Sequence, residues 1–218
     1  MQAEPLRPAP DPEDPSGFVN LSDAIPDLLP EMRYYSAYNF VGARIRGYEA
    51  PCALMTREGA RAVRAAADEF RSMGYVIKVF DAYRPQTATD HFLAWLEDPA
   101  DTRMKPYFYP GLDKSALIAE DYIGPRSAHS RGSAIDMTLV DMRSGRELDM
   151  GGGFDFFGDR SHADFTGDLT AVQRANRRCL REVMLRHGFM PLNSEWWLFK
   201  LIDEPWPNVY FSFPVRCL

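Results

Sequence analysis

The sequence predicts an α+β fold in a single domain, with a small, mainly antiparallel sheet flanked by helices. Two long segments carry apolar residues at helical spacing, and the segments between them are short, apolar and rich in β-branched or aromatic residues. The 218 residues suffice for one domain with a sizeable core. We therefore expect helices and short strands to alternate irregularly within one folding unit.

The chain divides into a lead-in at residues 1–17 and a folded domain at 18–218. The lead-in, "MQAEPLRPAPDPEDPSG", is rich in proline and acidic residues, a composition that favours flexibility over packing. It has no basic segment followed by an apolar one, so as written it is not a signal peptide. We expect a cytoplasmic protein, with a periplasmic protein after signal removal as the alternative.

Three helices are predicted. The first covers 56–75, with Thr56 as its N-cap and Gly74 as its stop. A second follows Pro85 in "TATDHFLAWLED", and the long amphipathic segment 170–189 is closed near Gly188. The region 98–125 between the second and third helices is expected to consist largely of loops.

Strands are predicted where apolar residues are continuous or alternate. The segment 75–83 is continuously apolar, which indicates burial on both faces, whereas 133–142 alternates. A glycine-rich loop, "DMGGGFDFFGDRSH", occupies 149–162. The last strands are expected in "EWWLFKLI" and "NVYFSFPV".

Charge and cysteine content narrow the function classes. A net charge of −6 without a concentrated basic patch argues against a nucleic-acid or anionic-membrane partner, and no run of about 18 apolar residues exists. The chain has three cysteines, and no two of them form a C-x-x-C pair: Cys52, Cys179 and Cys217. This disfavours a thiolate zinc site. We expect three reduced thiols; one disulfide with a leftover thiol would fit an exported protein.

The segment "SAHSRGSAID" places His129 seven residues before Asp136. Imidazole and carboxylate are a common zinc pair, and Gly132 between them allows the chain to turn from a loop into a strand. On spacing alone, a capped turn is the competing interpretation.

Two further residues are candidates for acid–base or electrostatic roles. Arg84, in "FDAYRP", follows a buried strand and is either a surface cation or a fixed donor for a carboxylate or developing oxyanion. Glu195, in "EWW", is either a solvated strand-start residue or a general base whose pKa is raised by tryptophan walls.

The glycine-rich loop and the remaining histidines offer other candidates. Asp155 is placed to cap a turn or to bind a substrate ammonium. His162 would reach a site if its loop folds back, while His91 and His187 lie in predicted helices and are expected to be structural or exposed.

Taken together, these motifs resemble the VanX-type D-alanyl-D-alanine dipeptidases, a branch of the zinc D,D-peptidases. The resemblance is carried by "RYYSAYNFVG", "FDAYRP", "SAHSRGSAIDMTL", "MGGGFDFFGDRSH", "EWW" and "DEPWPNVYFSFPV". These segments extend over nearly all of the chain after the lead-in, and their order makes the resemblance specific. It implies a zinc D,D-peptidase fold and hydrolysis of a small D,D-dipeptide, in cell-wall turnover or glycopeptide resistance.

The resemblance also implies a role for each matching residue. Two histidines and an aspartate hold one zinc ion, and His129 and Asp136 match two of these ligands. Glu195 matches the general base, and Arg84 matches the residue that steadies the oxyanion. Ser127 and Asp155 match groups that bind the substrate's amino end. Tyr34 matches an aromatic residue beside the substrate.

One position departs from the pattern. The family has histidine three residues after the catalytic glutamate, and here that position is Leu198, which has no lone pair. Because structural zinc sites supply on the order of 10–16 kcal/mol from four ligands, we expect the loss to weaken metal binding by several kcal/mol. A regular strand puts Glu195 and Leu198 on opposite faces, because they are three residues apart. A twist or bulge is therefore required if both side chains are to face one site.

Four accounts of Leu198 remain open at the level of sequence. The chain is a natural homologue that lost its metal and became a binding or regulatory protein, such as a binder of D,D-dipeptides, or a deliberately inactivated or selected variant of an active enzyme. Alternatively, a substitute ligand restores the site, with His162 the nearest candidate in chemistry, or zinc binds weakly through His129, Asp136 and water. The oligomeric state is not predicted.

Overall fold

The computed structural model describes residues 9–120 and 122–218. Within these ranges the strands are β1 (Phe18–Asn20), β2 (Leu29–Pro30), β3 (Leu54–Thr56), β4 (Tyr75–Asp81), β5 (Ala134–Asp141), β6 (Phe189–Leu192) and β7 (Glu195–Leu201). The helices are α1 (Leu21–Ala24), α2 (Arg57–Ser72), α3 (Gln86–Leu96), α4 (Lys105–Phe108), α5 (Lys114–Ala119) and α6 (Ala171–Arg186). Short 3-10 helices lie at Pro15–Gly17, Arg33–Tyr35, His129–Arg131 and Asp159–Ser161.

Five strands form a mixed sheet in the order β2-β4-β5-β7-β6. The β2–β4 pair is parallel, and the other three pairs are antiparallel. Strands β1 and β3 form a separate antiparallel ribbon. The predicted α+β fold with a small, mainly antiparallel sheet is confirmed.

The two long helices begin and end as local sequence signals predict. Thr56 accepts a hydrogen bond from the Gly59 amide at the start of α2, and Thr170 forms a capping box with Gln173 at the start of α6. Gly74 follows α2 with a φ of 88°, which a residue with a Cβ rarely adopts. Both helices pack against each other and against strands of the sheet, α2 against β4 and α6 against β6.

The strand predicted at 133–142 is confirmed as β5, whereas one predicted strand near the C-terminus is not found. The first seven residues of β5 are all buried although the sequence alternates, because this strand is central and covered on both faces. The segment 208–215 forms no strand apart from a single bridge between Val215 and Tyr48. Its alternating aromatic residues instead pack in the core, where Phe211 and Phe213 each meet the ring of Phe18.

The region 98–125, expected to be largely loop, contains the short helices α4 and α5. The ammonium of Lys114, in α5, is buried and donates to the carbonyls of Trp95 and Asp98, at the end of α3. These bonds tie the connecting region to the C-terminal end of α3, the helix whose Phe92 lines the cavity described below.

The described part of the lead-in contacts the rest of the chain. Asp14 caps the 3-10 helix Pro15–Gly17, the Ser212 amide donates to the Pro12 carbonyl, and the Ser212 hydroxyl donates to Glu13. This differs from the expectation of a segment that does not pack, although residues 1–8 lie outside the described residues. The domain boundary at residue 17 stays a prediction.

The expectation of three reduced thiols is wrong. Cys52 and Cys217 form a disulfide between positions 165 residues apart, with their Cα atoms 5.5 Å from each other, and Cys179 is free. Such a pairing depends on the tertiary fold, which brings the C-terminus beside the segment before β3. None of the helices within 9–120 and 122–218 is long and apolar enough to cross a membrane.

Candidate active site

The candidate residues converge on one cavity of about 370 Å³. Its volume lies in the lower part of the range of about 300–1,000 Å³ that is usual for small-ligand sites. Aromatic rings from the region before β3, from α3 and from the glycine-rich loop form much of the wall. The eight positions that the family resemblance singled out all line it: Tyr34, Arg84, Ser127, His129, Asp136, Asp155, Glu195 and Leu198.

The turn between His129 and Asp136 directs both side chains to one point. Gly132 has a φ of 67° and leads from the 3-10 helix into β5; a Cβ there would lie 2.2 Å from the Phe18 ring. His129 Nδ1 lies 2.6 Å from the Ala82 carbonyl, which can only accept, so this nitrogen carries the proton. His129 Nε2 is then a free lone-pair donor, 3.4 Å from Asp136 Oδ1.

Neither of these two atoms has a hydrogen-bond partner among the described residues. His129 Nε2 and Asp136 Oδ1 are both buried, and burial of an unpaired polar atom is costly. A neutral imidazole nitrogen oriented through its other nitrogen, beside a carboxylate oxygen, is a donor set typical of zinc. Two of the three ligand positions implied by the sequence therefore fit a zinc ion.

Leu198 lies where the third ligand was expected. It is the direct cross-strand partner of Asp136 in the β5–β7 pair, so the two side chains are neighbours on the sheet. The predicted irregularity in β7 is confirmed: Pro191 of β6 pairs with Phe199, but the next residue, Leu192, pairs with Glu195. This bulge breaks the two-residue alternation, and Glu195 and Leu198 both line the cavity.

Asp81, the last residue of β4, is a site residue that the sequence interpretation missed. It is fully buried, accepts a hydrogen bond from the Tyr48 hydroxyl at 2.6 Å and is bound by Arg84 Nε at 2.9 Å. Potential ligand atoms of Asp81, His129 and Asp136 lie within 4.8 Å of one another. The sequence did contain a signal for Asp81: it is a carboxylate at the end of a buried strand, three residues before Arg84.

Asp81 is better suited to position Arg84 than to bind the metal. Its two oxygens are already bonded to Tyr48 and Arg84, and its approach to His129 is to Nδ1, at 3.6 Å, which the Ala82 carbonyl occupies. It therefore does not replace the missing ligand.

Arg84 is a fixed donor, as one of the two sequence interpretations proposed. Its guanidinium carbon lies 4.9 Å from the centre of the Tyr34 ring and 5.2 Å from that of Phe92, and its NH2 lies 3.6 Å from Asp136 Oδ2. Stacking and the bond to Asp81 fix the plane of the guanidinium, while the remaining N–H groups are available to a ligand in the cavity.

Asp155 is buried at the inner end of the cavity and accepts a hydrogen bond from the Tyr34 hydroxyl, 3.0 Å away. It has a φ of 59°, uncommon for a residue other than glycine. Burial, and then the charge of Asp136, raise the pKa of Asp155 to about 8. A cationic group beside it would be needed to keep this carboxyl ionised at neutral pH.

The loop that carries Asp155 is held by Arg177 of α6. This buried guanidinium donates to the carbonyls of Met150 at 2.6 Å, Arg160 at 2.7 Å and His162 at 3.0 Å. The three bonds connect both ends of the loop to one helix. Burial lowers the pKa of Arg177 to about 10, which still leaves it protonated at neutral pH.

Glu195 is buried in the cavity wall beside the tryptophans, as predicted. Burial raises the pKa of Glu195 well above its usual value, and the charges of Asp136 and Asp155 raise it further. Arg84 is the neighbour that lowers it. The cavity is thus lined by three buried carboxyl groups, those of Asp136, Asp155 and Glu195, an arrangement that favours a bound cation.

Ser127 and His162 differ in their relation to the cavity. Ser127 lines it, and the Ser127 hydroxyl accepts a hydrogen bond from the His129 amide at 3.2 Å. His162 does not line it; the His162 ring nitrogen Nε2 lies 3.1 Å from the hydroxyl of Tyr122, which does. The suggestion that His162 acts as a substitute ligand is therefore not supported.

Comparisons with known proteins show which proteins this chain is similar to. The model of the family Peptidase_M15, described as D-ala-D-ala dipeptidase, matches residues 14–216. A D-alanyl-D-alanine dipeptidase of Enterococcus faecalis is 38% identical over 200 residues, 92% of this chain and 98% of that protein. One from Enterococcus faecium is 36% identical, with the same coverage. A solved structure of VanYB in complex with D-alanine-D-alanine is 14% identical, with a TM-score of 0.42, and covers 76% of this chain and 83% of that chain.

Proposed function

The chain belongs to the D-alanyl-D-alanine dipeptidase family, a family of metallo-dipeptidases, and on that premise we propose that it binds D-Ala-D-Ala in this cavity but hydrolyses it poorly. The observation that carries the proposal is the position of Leu198. An isobutyl group stands directly across from Asp136, beside two buried and unpaired ligand atoms, where the metal site needs a further donor.

His129 Nε2 and Asp136 are the residues that would hold zinc. Zinc bound there supplies a Lewis acid that activates water and polarises a carbonyl oxygen. Since four protein ligands contribute on the order of 10–16 kcal/mol in structural sites, one missing ligand lowers the affinity on the order of a thousandfold. The chain is then mostly without metal at zinc concentrations that would saturate a site with three protein ligands.

The remaining residues bind and orient the dipeptide. The carboxylate of Asp155, with Tyr34 and Ser127 beside it, takes the ammonium group, and Arg84 donates to the oxygen of the scissile carbonyl. An ammonium or carboxylate buried in this cavity without its partner would be costly, which excludes longer peptides.

Glu195 takes a proton from the attacking water and gives it to the leaving amine. It acts in this way only when ionised, whereas burial and its acidic neighbours raise its pKa. Additional positive charge in the cavity is needed to offset this effect. Weak zinc binding therefore also leaves Glu195 less ionised. The loss of the Lewis acid and the loss of the general base both lower the rate of hydrolysis.

The proposal is tested by zinc analysis and D-Ala-D-Ala hydrolysis, with the unmodified chain beside Leu198→His. The variant should bind about one zinc ion per chain and hydrolyse D-Ala-D-Ala at least a hundredfold faster. Leu192→His is the matched control, because Leu192 lines the same cavity but lies across from Glu195, not Asp136. Stoichiometric zinc with full activity in the unmodified chain would contradict the proposal.

A metal-free binder of D,D-dipeptides is the second candidate. It is favoured by the way Arg84 and Asp155 are held by the protein's own groups, Asp81 and Tyr34. This function predicts calorimetric binding of D-Ala-D-Ala that a chelator leaves unchanged, with no turnover after Leu198→His. If turnover is restored in Leu198→His, the chain is a dipeptidase with a weakened metal site and not a metal-free binder.

For the cellular setting, the family suggests cell-wall dipeptide turnover or glycopeptide resistance. The Cys52–Cys217 disulfide favours an oxidising compartment, and with it the periplasmic alternative over the cytoplasmic expectation. Thiol titration of the denatured chain, purified without reductant, should give one thiol per chain, from Cys179, and three after reduction. Three thiols before reduction would favour the cytoplasm.

A further inference from the structure

The mouth of the cavity is positively charged, in contrast to its acidic inner end. Arg126, Arg131 and Lys200 all line it. Arg131 forms a two-bond ion pair with Glu204, at 2.6 and 2.8 Å, and Lys200 Nζ lies 3.5 Å from the same carboxylate. One carboxylate is thus shared by two cations.

Arg126 is not neutralised by any carboxylate among residues 9–120 and 122–218. Its guanidinium carbon lies 4.7 Å from the centre of the Tyr210 ring, and the Tyr210 hydroxyl accepts a hydrogen bond from Arg131. Among the described residues, these three lining cations are matched by one carboxylate, that of Glu204, which pairs with Arg131 and Lys200 without itself lining the cavity. A surplus of two positive charges therefore remains at the mouth. A zwitterionic D-Ala-D-Ala molecule brings a single carboxylate to this end, so one cation remains without a counter-charge.

The position of Lys200 relates this surplus to the reacting bond. Lys200 follows Leu198 by two residues on the regular part of β7, so both side chains point to the cavity and are about 7 Å apart along the strand. From the scissile carbonyl carbon of a dipeptide, a glutamate side chain on the second residue reaches about 6 Å. Its carboxylate would therefore meet the cationic mouth while the carbonyl lies beside Asp136 and Arg84.

We propose that the cavity selects D,D-dipeptides whose second residue carries a carboxylate side chain, of the type D-Ala-D-Glu, over neutral dipeptides of the same size. The selection rests on the proposed function, because it assumes that the ammonium end binds at Asp155. Lys200 and Arg126 are the residues that distinguish the acidic from the neutral side chain. Charge-assisted hydrogen bonds at a partly enclosed site account for a preference of roughly tenfold.

The test compares D-Ala-D-Glu with D-Ala-D-Gln, which differ in charge but hardly in shape. Calorimetric titration of the unmodified chain at low ionic strength should give about tenfold tighter binding of D-Ala-D-Glu. The preference should shrink as salt is added, because the mouth is exposed to solvent. In Lys200→Met and, separately, in Arg126→Gln, the ratio of the two affinities should fall towards one.

Arg143→Gln is the matched control. Arg143 is an exposed cation just beyond the opposite end of β5 from the mouth, and its removal should leave the ratio unchanged. Equal affinities for the two dipeptides in the unmodified chain would overturn the inference. So would a preference that survives in both Lys200→Met and Arg126→Gln.

The same titrations separate this inference from the proposed function. If D-Ala-D-Ala binds but D-Ala-D-Glu has no advantage over D-Ala-D-Gln, only the acidic selectivity fails. If none of the three dipeptides binds, the proposed function fails, and the selectivity fails with it.

Discussion

The protein holds the two ends of the proposed active site to different degrees. At the proposed substrate end, called the substrate end below (Asp81, Arg84, Tyr34 and Asp155), each charged group has a partner from the chain itself. At the metal end (His129, Asp136 and Leu198) two ligand atoms are buried without partners among the described residues, and the third position is a hydrocarbon. A preorganised substrate end beside an incomplete metal end means that binding and hydrolysis can be lost separately.

The largest effect is expected from Asp81→Asn, which tests whether the substrate end is held independently of the metal. Arg84 would lose the nearer of its two ionic partners inside the protein, keeping only Asp136 at 3.6 Å, and breaking a buried ion pair costs about 3–5 kcal/mol. The free energy of unfolding from urea titration should fall by about 3 kcal/mol in chelator-treated protein.

Asp68→Asn provides the control for that change. Asp68 pairs with Arg71 on the exposed face of α2, where removing a partner costs less than about 1 kcal/mol. If Asp81→Asn costs no more than Asp68→Asn, the substrate end is not organised by Asp81, and the contrast between the two ends is lost.

The next largest effect concerns the ammonium group. Asp155→Asn should lower the affinity for D-Ala-D-Ala about a hundredfold, because the ammonium would enter a buried site without a counter-charge. Zinc binding by Leu198→His should be unchanged when Asp155→Asn is added. The control is Asp159→Asn, an exposed carboxylate on the same loop; a similar loss there would move the ammonium site away from Asp155.

The parts of the fold that follow from local interactions were predictable from the sequence. Helices α2 and α6 are capped by Thr56 and Thr170, whose side chains accept hydrogen bonds from amides three residues later, and a glycine follows each helix. The segment 208–215 has a strand-like pattern, but apart from the bridge between Val215 and Tyr48 it is held by the packing of its aromatic rings and lies just before the disulfide at Cys217. The alternation of apolar residues does not distinguish a segment that pairs in a sheet from one that only packs in the core.

The candidate site likewise contains residues that sequence motifs reveal and a residue whose role depends on the tertiary fold. His129, Asp136, Glu195 and Arg84 stand in motifs whose order carries the family resemblance, and the structure brings them into one cavity. Asp81 was missed because its role depends on Tyr48, which is 33 residues away in sequence. Its place three residues before Arg84 was a signal in the sequence, but the contact with Tyr48 is set by the tertiary fold, and residue type or spacing alone does not reveal it.

A smaller effect is expected from the helix that supports the substrate end. Arg177→Met removes three hydrogen bonds to the carbonyls of the loop that carries Asp155. The affinity for D-Ala-D-Ala should fall roughly twentyfold, whereas that for propionyl-D-alanine, which lacks the amine, should hardly change. Arg178→Met, an exposed neighbour on α6, is the control; equal losses for both ligands would indicate general destabilisation.

The smallest effect is a pH dependence that arises at the substrate end alone. In chelator-treated protein the pKa of Asp155 is about 8, raised by burial and by Asp136, so the free site is mostly protonated at pH 7. An ammonium ligand requires the ionised form, whose fraction rises about eightfold between pH 6.5 and 7.5. The affinity for D-Ala-D-Ala should rise with it, up to the pH of about 8 at which the ligand's own amine loses its proton.

This rise in affinity requires proton release, which calorimetry in buffers of different ionisation enthalpy measures directly. Glu195, whose pKa is also raised, faces the same space, so Glu195→Gln is needed to assign the proton. The release should persist in Glu195→Gln and vanish in Asp155→Asn. Persistence in Asp155→Asn would instead place the titrating group at Glu195, and the substrate end would then depend on the same residue as the hydrolytic step.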